Sequence, residues 1–528
     1  MDFNSFNQHL NDYLNETALP GFSLALCNRE QLLHRYTYTS NRVTDKPITN
    51  DTLFEVGSIG KSFTSILIQQ LVDAGDYDLD KPIVDYLPWF EVQTAYEPIT
   101  SHHLLCHSAG LINGTGSTGH DIGEVYSLRD TQTAFQPGTH FHYSNVGYKL
   151  LGVVLEHVTG ISYQDLVRER ILKPLSMDAS YPALIHDARS EMATGYVPLY
   201  DDRPAPLDNP IAPGVRLINN TADGCIISNP TDLIKYLQIF IQEGCEGVLS
   251  STAYQRMIQA SNKISDSLSC GYGLFITETE HGQIIGHSGS MAGGYVSQMW
   301  WHVESGNGFI AMFNSLAIPG TQDIVNWIKS TLPSLTESAP ESIAPPSDPF
   351  IVENAEEYSG TYSSTDGKLD IQHEDNRLFL RLDDESQPMA KRQRDHFAVA
   401  HPDYDRFMFS FQRDEDRKIK SVVHGEAIYF AEGHPAKEVD YPAEWDAYRG
   451  HYRSHNPWLI AFRILLRGDK LIFQMGSYED TLVPLENGHF RIGQDERSPE
   501  RIHFSLILNG KAIQAHFNTA IYYRTFIP

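Results

Sequence analysis

"EVGSIGKSFTS", Glu55 to Ser65, decides the fold of this chain, because its Gly-Lys-Ser suits either a phosphate-binding loop or a nucleophile at a helix start. A Walker-type phosphate loop needs glycine five residues before the glycine of Gly-Lys-Ser. Glu55 occupies that position, and its carboxylate would repel phosphates. The alternative interpretation pairs Ser58 with Lys61 on one helical face, which places an amine beside a hydroxyl.

The residues that follow Ser58 predict a helix with Gly75 as its stop. Its apolar positions recur at spacings of three and four: Ile59, Phe63, Ile66, Leu67 and Leu71. A serine at the start of a buried helix presents its N–H as an oxyanion donor, and the helix dipole favours negative charge there. Burial lowers the pKa of a lysine, so Lys61 can serve as a base. Ser-x-x-Lys alone is a weak signal, and the interpretation depends on further motifs.

Composition narrows the class of protein. The chain has 528 residues and a formal charge of 40 − 67 = −27, which disfavours nucleic acid and anionic membrane surfaces as partners. The N-terminal residues lack a signal-peptide pattern, and no apolar run approaches the ~18 residues needed to span a bilayer. Five cysteines without metal-site spacing indicate free thiols. We therefore predict a cytoplasmic protein.

The chain divides near residue 333. Residues 1–333 mix helical and strand patterns, and 334–350, rich in proline, serine and acidic residues, predict a linker. Short strand-like runs follow and repeat themselves. The matching segments are Tyr358-Ser-Gly-Thr-Tyr362 with Tyr448-Arg-Gly-His-Tyr452, His396-Phe397 with His489-Phe490, and Ala427–Phe430 with Ala520–Tyr523. We predict two copies of one module, 351–434 and 440–528, each a small closed antiparallel β-barrel.

Two more motifs carry groups that suit acyl transfer. Tyr143-Ser-Asn145 supplies a phenol that can move a proton and an amide that can bind a substrate carbonyl. His287-Ser-Gly289 lies on a predicted strand, where glycine would let a substrate backbone come close. The next residue, Ser290, can supply a second oxyanion N–H.

With these motifs in order, the chain resembles the serine β-lactamase and penicillin-recognising hydrolases, in the branch of class C β-lactamases, esterases and D-aminopeptidases. The family carries Ser-x-x-Lys, Tyr-x-Asn and Lys/His-x-Gly in this order, and the neighbourhoods "FEVGSIGKSFTS", "LLCHSAGL" and "FQPGTHFHYSNVGYKLLG" resemble it as well. The match covers roughly residues 1–330. It implies an α+β fold with an antiparallel sheet flanked by helices and an α-helical subdomain, followed here by the two barrels.

The resemblance implies an acyl-enzyme mechanism. Ser58 would attack a carbonyl, Lys61 and Tyr143 would share the base and acid roles, and the N–H groups of Ser58 and Ser290 would bind the oxyanion. Asn145 and Gly289 would position the substrate. We predict neither a cofactor nor a metal ion.

His287 is a departure, because penicillin-directed members usually have lysine there, and that cation helps bind a substrate carboxylate. A histidine is largely neutral near pH 7. It fits the esterase and D-aminopeptidase branches, although a packed strand residue is also an open interpretation.

Two barrels after such a domain resemble the layout of D-aminopeptidases, in which a loop from the last barrel recognises the substrate amine. The comparable stretch is "QMGSYEDTLVPL", with Glu479 and Asp480 as candidates for an ammonium group. Solvated surface carboxylates are the alternative.

Other interpretations carry less weight. "GHSGS", Gly286–Ser290, nearly matches a hydrolase nucleophile elbow but ends in serine. His102, His103 and His107 suggest zinc, but no carboxylate completes such a site.

The predicted function is a serine hydrolase acting on an ester or amide of a small molecule or short peptide, including D-amino-acid derivatives. An acyltransferase and a non-catalytic binding protein on the same fold are the alternatives, and a homodimer is left open.

Overall fold

A computed structural model describes residues 3–41, 43, 46–114, 120–204, 206, 210–218, 220–316, 319–335, 341–365, 367–383, 385–434 and 440–525. The chain forms two compact units. In their described parts, the first comprises Met1–Val197, Ile211–Pro345 and Asn456–Trp458, and the second Pro198–Pro210, Pro346–His455 and Leu459–Pro528. The predicted boundaries at 333/334, 350/351 and 434/440 stay predictions, since residues 336–340 and 435–439 lie outside the described residues.

The first unit is built on an antiparallel sheet of eight strands in the order β2-β1-β12-β11-β10-β9-β8-β7. Strands β3 and β6 form a small second sheet, and β4 and β5 a third. The strands are β1 Gly21–Cys27, β2 Leu32–Thr39, β3 Phe54–Glu55, β4 Tyr196–Pro198, β5 Ile211–Pro213, β6 Ile227–Ser228, β7 Asn262–Lys263, β8 Leu268–Cys270, β9 Phe275–Thr279, β10 Gly282–Met291, β11 Tyr295–His302 and β12 Asn307–Phe313.

Helices cover both faces of this sheet. They are α1 Phe3–Glu16, α2 Gly60–Ala74, α3 Ile83–Tyr86, α4 Ser101–Leu105, α5 Asp121–Ser127, α6 Asn145–Thr159, α7 Tyr163–Val167, α8 Pro230–Ile241, α9 Ser251–Ile258 and α10 Thr321–Thr331. Because successive strand residues point to opposite faces, Leu24 and Leu26 of β1 pack with α1 and α10, whereas Ala25 and Cys27 face the core that contains α2, α6 and α8. This explains why β1 and β12 are buried along their whole length.

The second unit contains two closed barrels of eight antiparallel strands each. The first consists of β13 Gly360–Ser363, β14 Lys368–Glu374, β15 Arg377–Leu382, β16 Glu385–Gln393, β17 His396–Val399, β18 Phe409–Arg413, β19 Ile419–His424 and β20 Ala427–Ala431. The second consists of β21 Gly450–Arg453, β22 Ala461–Arg467, β23 Lys470–Met475, β24 Tyr478–Pro484, β25 His489–Ile492, β26 Arg501–Leu508, β27 Lys511–Phe517 and β28 Ala520–Arg524. The predicted α+β class and both barrels are confirmed.

The repeated Tyr-x-Gly-x-Tyr motif makes the same hydrogen bond in both barrels. Tyr362 Oη donates to the carbonyl of Tyr358 at 2.8 Å, and Tyr452 Oη donates to the carbonyl of Tyr448 at 2.7 Å. Each donor tyrosine is buried and lies on the first strand of its barrel, so its hydroxyl needs a hydrogen-bond partner within the protein. The sequence repeat therefore corresponds to a repeated structural contact.

Helix α2 begins and ends as the sequence predicts. A 3₁₀ turn at Gly57–Ile59 leads into it, and Gly75 closes it in the left-handed conformation with φ 79°. Its apolar residues lie in the main core, among them Phe63, Ile66 and Leu67. The terminal glycine is favoured because a side chain at positive φ strains the backbone.

Gly75→Ala should lower the free energy of unfolding by about 1 kcal/mol, because a Cβ in the left-handed region is unfavourable while the space around Gly75 is open. Denaturant unfolding followed by circular dichroism measures the loss. Gly75→Asn is the control, and it should lose less because asparagine tolerates this conformation. Equal stability of the alanine variant and the wild type would contradict the capping role.

Candidate active site

Ser58 lies in the 3₁₀ turn before α2, at the point where the chain leaves β3. It is partly exposed, while its neighbours from Thr52 to Gly60 are buried. Gly57, at φ 55°, has no room for a side chain, since a Cβ there would lie 2.7 Å from the backbone nitrogen of Ser290. The turn thus presents one hydroxyl at the surface and brings the backbone of β10 against it.

Lys61 is fully buried beneath Ser58 and contacts three polar groups. Its Nζ lies 3.0 Å from Ser58 Oγ, 2.7 Å from Asn145 Oδ1 and 2.8 Å from the carbonyl oxygen of Asp223. Burial lowers the pKa of Lys61 to about 7, and the nearby Asp223 carboxylate opposes that shift. A neutral amine can donate to the two fixed oxygens and accept the proton of Ser58, so the geometry suits a base.

Tyr143 lies two residues before the start of helix α6 and contacts Ser58. Its hydroxyl hydrogen-bonds with Ser58, and burial raises the pKa of the phenol, which keeps it protonated at neutral pH. The ring stacks on His107 with centroids 4.3 Å apart, and Lys61 Nζ lies 5.0 Å from its centroid. Tyr143 is therefore placed to donate a proton to Ser58 Oγ or to an atom next to that oxygen.

Asn145 begins helix α6 and is held by Asn113. Its Nδ2 donates to Asn113 Oδ1 at 3.0 Å, and its backbone N–H donates to the Asn113 carbonyl at 2.6 Å. Asn113 Nδ2 in turn donates to the carbonyl of Tyr143 at 3.3 Å. Because both amide ends of Asn145 are engaged, its Oδ1 is fixed toward Lys61.

His287 lies in the interior of β10 and is buried. Its Nδ1 donates to the carbonyl of Ser288, which assigns the other nitrogen, Nε2, as an acceptor. Burial lowers the pKa of His287 to about 3, so the ring is neutral. Among the described residues Nε2 has no hydrogen-bond partner, and the ring centroid lies 6.2 Å from that of Tyr143.

Gly289 packs tightly against the protein's own backbone. A Cβ at Gly289 would lie 2.0 Å from the carbonyl oxygen of Val56 and 2.5 Å from Ser297 Oγ, so no side chain fits there, and its predicted contact with a substrate stays a prediction. Its neighbour Ser290 is exposed, and the backbone of Ser290 lies against Gly57. The glycine lets β10 close on the turn that carries Ser58.

Glu479 and Asp480 lie on strand β24, and the prediction that they sit in a loop is wrong. The alternation of side chains along a strand places them on opposite faces. Glu479 forms an ion pair with Arg467 at 2.7 Å. Asp480 accepts hydrogen bonds from Tyr478 Oη at 3.0 Å and from the backbone of Thr481 at 2.8 Å. Their role toward a substrate amine stays a prediction.

Three residues at this site have roles that the motifs did not reveal: Asn113, His107 and Asp223. Of these three, only His107 is a candidate from the sequence, as a zinc ligand. The structure gives it a left-handed backbone at φ 56°, and its Nδ1 accepts the backbone N–H of Ser144 at 3.0 Å. An unusual conformation in a non-glycine residue is a common mark of a functional site, but it cannot be read from sequence.

The two weaker interpretations can be compared with the structure. Gly286–Ser290 lies inside β10, without the strand-to-helix turn that a nucleophile elbow requires. His102 Nδ1 bonds to Tyr272 Oη at 2.7 Å, and His103 Nδ1 caps α4 through Thr100. In the described parts of the chain, no three His, Cys, Asp or Glu side chains are grouped to hold a metal ion.

The pKa of Lys61 predicts how the reactivity of Ser58 varies with pH. Below about pH 7 the amine is protonated and cannot accept the Ser58 proton, so covalent labelling by a small fluorophosphonate should slow about tenfold per pH unit. Above that pH the rate should level off. Intact-protein mass spectrometry measures the labelling. Lys61→Arg, which stays protonated, should remove the dependence and most of the rate, and a pH-independent wild type would contradict a base role for Lys61.

Several known proteins are similar to this chain in sequence or in fold. The chain is 27% identical over 374 residues to penicillin-binding protein 4 of Amycolatopsis lactamdurans, covering 67% of this chain and 95% of that protein. The octameric penicillin-binding protein homologue from Pyrococcus abyssi superposes with a TM-score of 0.59 at 22% identity, covering 91% of this chain and 99% of the other. The D-amino acid amidase from Ochrobactrum anthropi SV3 superposes with a TM-score of 0.50 at 25% identity, covering 59% and 91%.

The sequence profile of the family described as Beta-lactamase matches residues 6–326. This range contains Ser58, Lys61, Tyr143 and His287, and it spans more than half of the chain. The chain belongs to the beta-lactamase family.

Proposed function

We propose that this protein is a serine hydrolase that cleaves an ester or amide of a small, peptide-like acyl donor through an acyl-enzyme. The observation that carries the proposal is the contact between the buried Lys61 amine and the Ser58 hydroxyl, 3.0 Å apart. A lysine whose pKa lies near 7 can remove a proton from a serine at neutral pH, and burial supplies that pKa.

The chemistry follows from the positions of four residues. Ser58 Oγ forms a bond to the acyl carbon while its proton passes to Lys61, and the carbonyl becomes an oxyanion beside the backbone N–H groups of Ser58 and Ser290. Tyr143, protonated, donates to the leaving amine or alcohol as the acyl–heteroatom bond breaks, and it takes back a proton from Lys61, which becomes neutral again. A water molecule then attacks the Ser58 ester and gives its proton to Lys61. That proton returns to Ser58 Oγ as the bond between Ser58 and the acyl group breaks and the acid product leaves.

The neutral His287 supports a choice among acyl donors. A substrate carboxylate gains most from a fixed cation, which a ring with a pKa of about 3 does not supply. The D-amino acid amidase from Ochrobactrum anthropi SV3 was solved with L-phenylalanine amide, and also with L-phenylalanine and D-phenylalanine, so its ligands do not decide whether a carboxylate is bound. The neutral His287 ring favours amino-acid amides or esters over penicillins as substrates, with D-amino-acid derivatives included.

We also propose a cellular location for the protein. The five cysteines, Cys27, Cys106, Cys225, Cys245 and Cys270, are free thiols, which favours a reducing, cytoplasmic location. None of the described helices, of which the longest have 15 residues, combines the length and apolarity needed to cross a bilayer. A homodimer stays a prediction that light scattering can test.

Ser58→Ala should abolish turnover while leaving the fold intact, because the alanine removes only the attacking oxygen. Wild type and variant are incubated with an activated ester, a D-amino-acid amide and a penicillin, and product and intact mass are measured. A mass increase equal to the acyl group should appear in the wild type alone. Near-wild-type rates in the variant would contradict the mechanism, and added alcohols or amines that divert the product would indicate an acyltransferase.

A matched pair of esters tests the substrate preference. p-Nitrophenyl butyrate should acylate Ser58 about tenfold faster than p-nitrophenyl hemisuccinate, because the second places a carboxylate in a site without a fixed cation. The burst of p-nitrophenol measures acylation. The two esters in buffer alone provide the control for intrinsic reactivity, and faster acylation by the hemisuccinate would contradict the assigned role of His287.

A further inference from the structure

We propose that His107 positions Tyr143 to protonate the leaving group, so that cleavage of esters with a poor leaving group depends on His107 whereas cleavage of activated esters does not. This inference rests on the proposed hydrolase function and adds a positioning residue to it. His107 lies outside the three sequence motifs, and its buried ring contacts Tyr143.

Tyr143 lies in a stretch of irregular backbone. Residues 141–144 form neither helix nor strand, and α6 begins only at Asn145. Backbone groups outside helices and sheets need hydrogen-bond partners from elsewhere in the fold, and those partners set the course of the chain. The direction of the Tyr143 phenol therefore depends on the groups that bind this stretch.

His107 binds the stretch on both sides of Tyr143. Its backbone carbonyl accepts the N–H of His142 at 2.8 Å, and its Nδ1 accepts the N–H of Ser144 at 3.0 Å. Its ring stacks on the Tyr143 ring, with centroids 4.3 Å apart and planes inclined by 26°. One residue thus contacts three consecutive residues, with Tyr143 in the middle.

The chemical state of the His107 ring suits this role. Because Nδ1 accepts a backbone N–H, the ring proton is assigned to Nε2, and burial lowers the pKa of His107 well below its ordinary range. The shielded Nε2 has no hydrogen-bond partner among the described residues. The bond to Ser144 and the stack on Tyr143 therefore orient the ring.

The backbone of His107 supports the same contacts. Its φ of 56° is left-handed, a conformation that is unfavourable for a residue with a side chain and that persists where several contacts hold it. Asparagine tolerates this conformation better than most residues. His107→Asn therefore removes the ring beneath Tyr143 with little added backbone strain.

Two esters with one acyl group separate the acid step from the rest of the reaction. When p-methoxyphenyl butyrate acylates Ser58, the bond from the acyl carbon to the phenolic oxygen breaks. That oxygen takes the proton of Tyr143, and Tyr143 regains the proton that Lys61 took from Ser58. The more stable p-nitrophenolate leaves p-nitrophenyl butyrate without a proton. Only the first ester therefore needs an aligned Tyr143.

We expect kcat/KM of His107→Asn to fall about tenfold on p-methoxyphenyl butyrate and to stay within about threefold on p-nitrophenyl butyrate. Tyr143→Phe should show the same pattern more strongly, and adding His107→Asn to it should cause no further loss, because both substitutions disable one step. The control is His157→Asn, at an exposed position in the last turn of α6, which should match the wild type on both esters.

An equal loss on both esters in His107→Asn would overturn the proposal, because it would mean that His107 only maintains the fold. Unchanged rates would overturn it too, as would a further tenfold loss in the double variant or a Tyr143→Phe variant that treats both esters alike. Failure of the wild type on both esters would instead contradict the proposed hydrolase function.

The His107 ring gives a readout without turnover. Nitrogen NMR of the wild type with labelled histidine, in which His107→Asn identifies the signal, should show a protonated Nε2 and a bare Nδ1 near neutral pH. A charged ring, or a proton on Nδ1, would overturn the contact with Ser144 on which the positioning depends.

Discussion

The structure of this site depends on the burial of one lysine. Removing the Lys61 amine from water disfavours its charge, and the three oxygens around it fix its direction. Each neighbouring element serves this arrangement: α2 presents Lys61 one turn after Ser58, α6 contributes Asn145, and the Asp223 segment contributes a backbone carbonyl. The lowered pKa is thus a property of the packed core rather than of the motif alone.

Three titratable side chains close to Lys61 are kept uncharged by burial. His107 and His287 are both buried, and burial lowers the pKa of each, His107 well below its usual range. Tyr143 is kept protonated by the same effect. Charged imidazoles close to Lys61 would lower its pKa further and add repulsion, so uncharged imidazoles suit the site. Asp223 acts in the opposite direction, because it opposes the lowering of the Lys61 pKa.

Much of the fold and of the site could be predicted from the sequence, for identifiable reasons. The helix after Ser58 has a regular apolar pattern and a glycine stop, and the two barrels repeat their tyrosine motif, so local signals sufficed. Asp223 and Asn113 could not be found this way, because they act through a backbone carbonyl and a side-chain amide brought in from distant loops. The resemblance to D-aminopeptidases assigns Glu479 to a loop, whereas it lies on β24, directly after the tight turn of the β23–β24 hairpin.

The close contact of Gly57, Val56 and Gly289 has a consequence for how the chain matures. Ser58 and Lys61 are neighbours in sequence, but the turn that carries them is held by Ser297 Oγ on the carbonyl of Val56, a bond between residues 241 apart. Such distant pairings close late, because the intervening chain must first lose much of its freedom. A nascent chain that has not yet reached β11 lacks Ser297, so the turn that carries Ser58 cannot gain this hydrogen bond until β11 has been synthesised.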